Sequence, residues 1–428
     1  MPSLLPLLAP VQMLTFCERW STGAQIAERN FPQKKTGVDS RSLTFQKKEF
    51  SQMRSITRYL CALFAALALT TTYAAEPIKI GVVTTMTGPW AEFGRFTVNG
   101  LQLALEDINR GGGVLGRQIE LRVEDNQTTN PGTVLAFSKL AGEAGIVGIV
   151  GPIASTQIQA ASPAIAKAGI PTMIGGTDPS LTHVNNRWVF RARPNDLYSS
   201  KVIADFGVNT LKLRKWGIVH ATDAFGNGGA KALTDSLLAL GITPVTDQGY
   251  TTNAQDFSAT VLAIKKSGAD IIGTYMTAPA DLALFARQLR QLGVKVQWVG
   301  SPTTVTVTAL NLGGEALYGT YGVADFNADA TPITRSFAKV YRERYGLNPD
   351  NFASWAYDAL HIIALAIGNA KSTEPEAIRT AILAINGYQG LEGTYVFDKN
   401  GDGLHGYNIV KNEDGKIVFV KRVDFPPE

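Results

Sequence analysis

From Ile78 onward, short apolar runs alternate with stretches of helical period. Ile78-Lys79-Ile80-Gly81-Val82-Val83 reads as a strand ending at the turn Thr87-Gly88-Pro89. In the helix that follows, Val98, Leu101, Leu105 and Ile108 recur at intervals of three and four, which makes one apolar stripe. Gly111-Gly112-Gly113 stops it, and Ile119–Val123 alternates as a second strand. A helix over Thr133–Glu143, a strand over Ile146–Val150, a helix over Ser155–Ala168 and a strand over Pro171–Ile174 continue the series. The pattern then restarts: strand Lys215–His220, a helix through Leu240, strand Ile242–Tyr250, helix Phe257–Ser267, strand Asp270–Met276, helix Ala280–Leu292 and strand Val296–Val299. From about Pro332 two or three helices follow, one over Trp355–Ile367, and the end is strand-rich at Gly393–Phe397, Tyr407–Lys411 and Ile417–Val420. Two βα series in one chain predict two similarly built α/β lobes, each a doubly wound, Rossmann-like parallel sheet covered on both faces. Ligands of such sheets sit outside the carboxyl ends of the strands, so two facing lobes predict a ligand cleft between them.

The 428 residues, 45% apolar and 18% charged, are enough for two domains. The N-terminal part reads differently. Met53-Arg54-Ser55-Ile56-Thr57-Arg58 is a short basic segment, Tyr59–Leu69 is apolar, and small residues follow at Thr70, Thr71, Thr72, Ala74 and Ala75. Residues 53–75 therefore read as a secretory signal peptide, too short for a membrane span of roughly 20 residues. A signal peptide is read at an N-terminus, so residues 1–52, which lack any sustained period, are read as an extension from a misassigned start, with translation beginning at Met53. Nine of the 40 Lys and Arg and four of the 36 Asp and Glu lie in residues 1–75, leaving 31 and 32 in the mature part. The basic balance thus belongs to the removed end and gives no support for nucleic-acid binding. Cys17 and Cys61 lie there too, so disulfides, thiol catalysis and cysteine-metal sites are not expected in the mature chain.

Few motifs carry chemistry. Gly111-Gly112-Gly113-Val114-Leu115-Gly116 matches G-x-G-x-x-G but follows a helix and precedes a strand, the reverse of a dinucleotide site. Asp398-Lys399-Asn400-Gly401-Asp402-Gly403 starts like a calcium loop, yet its twelfth position is Ile409, so a hairpin turn is expected. His183, His220, His361 and His405 have no metal-ligand spacing. No P-loop, G-x-S-x-G or H-E-x-x-H occurs, so neither an enzyme nor a cofactor or metal is expected. The informative stretch is Val150-Gly151-Pro152-Ile153-Ala154-Ser155-Thr156-Gln157, a strand end where hydroxyls meet a helix start. Ser155 or Thr156 can cap that helix; the same place also suits a ligand carboxylate. Gly175-Gly176-Thr177-Asp178 repeats the arrangement at the next strand end.

At these residues the chain resembles the leucine/isoleucine/valine-binding protein family, type I periplasmic solute-binding proteins of ABC importers. The resemblance runs through Ile80–Pro89, Gly100–Ala104, Asp107-Ile108-Asn109, Gly112–Gly116, Ile149–Ser155, Gly169-Ile170-Pro171, Arg191–Asp196, Phe225–Gly228 and Ala356–Ala359, and covers essentially residues 77–421. It implies a type I periplasmic binding fold. One lobe would comprise residues 76–195 plus about 325–395, the other 196–324 plus about 396–428, with hinge crossings near Asn195, near Asp325 and near the C-terminal strands. It implies that Ser155, Thr177 and the backbone at Gly176 hold a ligand carboxylate, next to the candidate Thr156, and that the carbonyls at Gly175–Gly176 with Thr177 hold an ammonium. Trp90 and Phe93 would line the side-chain pocket, with Phe225, Tyr275 and Thr303 facing them from the second lobe. The family's acid after Val296–Val299 is absent here, where the chain reads Gly300-Ser301-Pro302-Thr303. An unpaired ammonium in a closed cleft would cost several kcal/mol. Asp223 or Asp325 would then serve, or the ligand is an aromatic or aliphatic carboxylate or an amide- or urea-type solute. The expected role is an extracytoplasmic, monomeric binding protein for a branched-chain or other hydrophobic amino acid. It would reside in the periplasm and deliver to an ABC transporter permease in the membrane. A ligand-sensing receptor domain on the same fold is the alternative of another class.

Overall fold

The computed structural model describes residues 75–427. Residues 1–52, the signal-peptide segment up to residue 74 and both cysteines lie outside the described residues. The first series comprises β1 (Ile78–Thr84), α1 (Ala91–Arg110), β2 (Ile119–Asp125), α2 (Asn130–Gly142), β3 (Ile146–Val150), α3 (Ser155–Ala168), β4 (Thr172–Ile174) and β5 (Val189–Arg191). Its strands form a wholly parallel sheet in the order β2-β1-β3-β4-β5. The second comprises α4 (Asp196–Asp205), β6 (Trp216–Ala221), α5 (Ala224–Ala239), β7 (Thr246–Tyr250), α6 (Ser258–Ser267), β8 (Ile271–Tyr275), α7 (Pro279–Gln291), β9 (Gln297–Gly300), α8 (Val307–Gly313) and β10 (Tyr321–Ala324). The remainder is α9 (Pro332–Tyr345), α10 (Asn351–Ala370), α11 (Pro375–Leu383), the hairpin β11 (Asn386–Gln389) with β12 (Thr394–Val396), then β13 (Gly406–Glu413) and β14 (Lys416–Asp424). The second sheet runs β14-β13-β10-β9-β8-β6-β7, parallel except where β13 and β14 close one edge antiparallel. Two α/β lobes result, as the alternation of apolar runs and helical stretches predicts.

The central strands of both sheets are apolar on both faces, because helices cover each side. Ile80, Val82, Ile149 and Val150 are sealed in the first, and Ile218, Val219, Ile271 and Ile272 in the second. Helix α10 returns from the second sheet and lies along α1, bringing Trp355, Leu360 and Ile363 onto the first sheet's core. Gly100 makes this close approach possible: a Cβ there would sit 2.1 Å from the Ala353 carbonyl oxygen. Gly100→Ala is therefore expected to destabilise the protein by about 1–3 kcal/mol despite alanine's helix preference. A urea melt reads this, and an unchanged midpoint would show that the two helices separate freely.

Several element boundaries differ from the expected ones. Helix α2 begins at Asn130, because the Thr129 hydroxyl caps it by accepting from the Gly132 N–H, with proline in its first turn. Residues 242–245 are irregular loop rather than strand, since the Ile242 N–H closes back on Leu237. Strands β5 and β10 and helix α4 were not expected; the two strands have three and four residues, too few to show a period.

Candidate ligand-binding cleft

In both sheets the strand order reverses about a central pair. The switch lies between β1 and β3 in the first sheet and between β6 and β8 in the second. The loops leaving these strands and their neighbours at their carboxyl ends converge on one cavity, part of it open to solvent. The β1–α1 loop and α1 supply Trp90 and Phe93; the β3–α3 turn supplies Ile153, Ala154, Ser155 and Thr156; the loop after β4 supplies Thr177. The second lobe supplies Asp223 and Phe225 after β6, Thr277 after β8, and Pro302 and Thr303 after β9. Arg193, between β5 and α4, and Asn351 and Phe352, at the start of α10, complete the lining.

The β3–α3 turn depends on Gly151, whose φ is 96° and where a Cβ would fall 2.0 Å from the Val83 carbonyl oxygen. The turn leaves Ala154 at the N-cap position of α3 with no side-chain cap; Ser155 is already the first helical residue. The capping alternative for Ser155 or Thr156 is thereby set aside. The Ser155 hydroxyl instead accepts the Asp178 N–H at 3.3 Å, and its own proton meets no acceptor among the described residues. It is left to donate into the cavity, beside the positive end of α3. Thr156 reaches across the cleft, where its hydroxyl oxygen accepts the Ala224 N–H at 3.1 Å. Thr177, only 2% exposed, donates to the Asp196 carboxylate at 2.8 Å.

Rings form the apolar wall. Trp90 stacks on Phe93 with centroids 6.1 Å apart, and Phe93 on Phe352 at 4.2 Å. Phe225 faces them from the second lobe with Tyr275 behind it, edge-on at 5.8 Å. Tyr275 itself is fully buried, its hydroxyl bonded to Ser199, and is not part of the lining. Gly175 and Gly176 are also set back from the cavity. Their carbonyls accept from Arg193 Nη1 at 2.8 Å and Arg191 Nη1 at 3.3 Å, so both face guanidinium groups.

Of the two acids considered for an ammonium, only Asp223 lines the cavity. One of its oxygens caps α5 by accepting the Gly226 N–H at 2.9 Å, and the other accepts the Thr277 hydroxyl at 2.6 Å. A carboxylate has about four lone-pair positions, so roughly two remain. Asp325 is fully buried, paired with Arg193 and outside the lining. Burial alone would lower the Arg193 pKa, but Asp325 outweighs it and holds it raised. Asp196 is pushed up to about 7 by burial, against the hydrogen bonds from Thr177 and Ser199. Local pattern carries no signal for Arg193, Thr277, Asn351 or Phe352 as lining; Arg193 belongs to a stretch noted only for its resemblance, and α10 reaches the cleft by a fold-back invisible in local pattern.

Comparison with known proteins agrees with this architecture. Residues 77–416 match the family described as "Periplasmic binding protein". A Leu/Ile/Val-binding protein of Rhizobium johnstonii is 30% identical over 374 residues, 86% of this chain and 99% of the relative. An amino acid binding protein of Pseudomonas aeruginosa is 29% identical over 333 residues, 77% and 88% of the two chains. Among solved structures, a type 1 periplasmic binding protein of Bordetella pertussis superposes with a TM-score of 0.74 at 28% identity, covering 80% of this chain and 99% of the other. An ABC transporter substrate-binding protein of Desulfitobacterium hafniense, in complex with Leu, gives 0.69 at 26% identity, covering 81% and 100%. With the family matched over nearly all the described residues, this chain belongs to the periplasmic binding proteins, alongside the Leu/Ile/Val-binding proteins.

Proposed function

We propose that the protein is the periplasmic binding component of an ABC importer, that it captures a hydrophobic α-amino acid, and that it passes the ligand to a membrane permease. The observation that carries this reading is the cavity shared by the two switch points, polar at one end and ring-lined along its wall. In this reading the Ser155 hydroxyl and the N-terminus of α3 take the ligand carboxylate. The ammonium lies between the Thr177 oxygen and the open positions of Asp223, which replaces the acid missing after β9. The side chain lies against Trp90, Phe93, Phe352 and Phe225. No catalytic step is involved. Lobe one is taken as residues 76–195 with about 325–395, and lobe two as 196–324 with about 396–428. Ligand bridging of the lobes would favour the closed arrangement by its differential affinity. The names of the relatives support an amino acid over other solutes.

A thermal-shift panel tests the ligand class. A saturating ligand at one hundred times its Kd should stabilise the protein by about 2.7 kcal/mol. Leucine, isoleucine, valine or phenylalanine is expected to raise the melting temperature. A response to aromatic or aliphatic carboxylates with none to any amino acid would refute the assignment.

A further inference from the structure

Thr177 has one hydroxyl proton, and its destination decides what Thr177 can offer a ligand. In this structure the proton points away from the cleft, to Asp196 Oδ2 at 2.8 Å. Asp196 also holds the Thr177 backbone, its own N–H donating to the Thr177 carbonyl at 2.8 Å. The other oxygen, Oδ1, accepts from Ser199 Oγ at 2.9 Å. Ser199 has therefore spent its proton, so in its 2.7 Å contact with Tyr275 the tyrosine hydroxyl is the donor. An ionised Asp196 thus orients a chain in which Tyr275 donates to Ser199, Ser199 to Asp196, and Thr177 to Asp196 from the opposite side. The carboxylate stands at the first turn of α4, where the helix end favours its charge. It is fully buried and does not line the cavity, so it acts on a ligand only through Thr177.

We propose that Asp196 is a specificity-determining positioning residue: by taking the Thr177 proton it presents the Thr177 oxygen to the cleft as an acceptor, so the site selects ligands carrying an N–H donor beside the carboxylate. The inference rests on the amino-acid reading above and adds which group enforces it. Two hydroxyls that look equivalent in sequence become opposites. Ser155, whose oxygen is occupied by the Asp178 N–H, donates; Thr177, whose proton is occupied by Asp196, accepts. A ligand with a carboxylate and no ammonium would find Thr177 presenting lone pairs to it, an unsatisfied and repulsive contact.

The charge state of Asp196 supplies an independent readout. The charged groups acting on it are Asp178, which disfavours its ionised form, and Arg191, which favours it, while Asp196 in turn holds the buried hydroxyls of Tyr275 and Tyr407 in their protonated form. Burial raises its pKa to about 7. Once protonated, Asp196 has an O–H of its own to place and no longer forces the Thr177 proton out of the cleft. Selectivity for the ammonium should therefore weaken as pH falls through this range.

The experiment measures Kd by calorimetry for matched pairs, leucine with 4-methylpentanoate and phenylalanine with 3-phenylpropanoate, at about pH 8 and about pH 6. Wild-type protein is expected to favour the amino acid at the higher pH, with the preference falling at the lower. In Asp196→Asn the preference should drop by about tenfold or more, the scale of one hydrogen bond to a charged group, and lose its pH dependence. Thr177→Val should lose the preference and Thr177→Ser should restore it, which keeps the test open if Asp196→Asn folds poorly. Equal weakening of both members of a pair in Asp196→Asn, or a preference that Thr177→Val leaves intact, would overturn the proposal while the amino-acid reading stands. Wild-type protein that binds the des-amino acids as well as the amino acids would also overturn it. Absence of binding to any amino acid defeats the functional reading first and the proposal with it.

Discussion

Asp402→Ala is expected to lower the stability of the protein by about 3–5 kcal/mol, the cost of stranding a buried charge whose partner is removed. The charge is Arg191, at the end of β5, with no exposure. Its Nε donates to Asp402 at 2.8 Å, its Nη1 to the carbonyls of Gly176 and Asp178, and its Nη2 to Thr182 Oγ1 at 2.7 Å. Asp402 is equally committed, accepting in addition from Thr182 at 3.0 Å and from Asn195 at 2.7 Å. Burial would raise its pKa, but Arg191 and these donors hold it well below the usual carboxylate range. Denaturant unfolding of the variant gives the loss directly. The charge argument separates itself from simple loss of packing by a second variant: replacing Arg191 and Asp402 together with apolar residues should cost less than Asp402→Ala alone. If the double variant is the less stable of the two, or if Asp402→Ala costs under about 1 kcal/mol, the stranded charge is not the cause.

The same pair shows what the amino-acid order conveys and what it hides. The parallel strands were legible because a sheet covered on both faces needs unbroken apolar runs, and Ile146–Val150 or Ile271–Tyr275 can be little else. The first helix was legible from its stripe, although Phe93 and Phe96 are more deeply buried than Leu105 and Ile108. Asp402, by contrast, lies in a stretch that reads as a turn or a truncated calcium loop. Its partner is 211 residues earlier, at the end of a three-residue strand. Local pattern contains no sign that two polar residues so far apart will neutralise one another in the interior. The cleft divides in the same way. Ser155, Thr177 and Phe225 stand at strand ends, which the topology rule marks as ligand positions, and hydroxyls there attract attention. Arg193 and Phe352 come from a crossing segment and from a helix that folds back. The opposed roles of Ser155 and Thr177 depend on which neighbour holds which proton, and that is a property of three-dimensional neighbours alone.

Ser155→Ala is expected to weaken binding of a hydrophobic amino acid by about ten- to one-hundred-fold, since a hydrogen bond to a charged group is worth roughly 1.5–3 kcal/mol. The reason is the direction of its bonds. Most hydroxyls at a helix start are occupied in capping, and their removal would cost stability. Ser155 caps nothing: its contact with the Asp178 N–H is long, at 3.3 Å, and its proton is uncommitted among the described residues. The loss should therefore fall on the ligand and only slightly on the apo protein. Calorimetric Kd values and apo melting temperatures, measured on the same variant, separate the two. A melting temperature lowered by several degrees with little change in Kd would place Ser155 in the scaffold and remove the carboxylate end of the proposed site. The opposite outcome, a large affinity loss in an apo protein of wild-type stability, follows only if the uncommitted proton at the mouth of α3 meets the ligand.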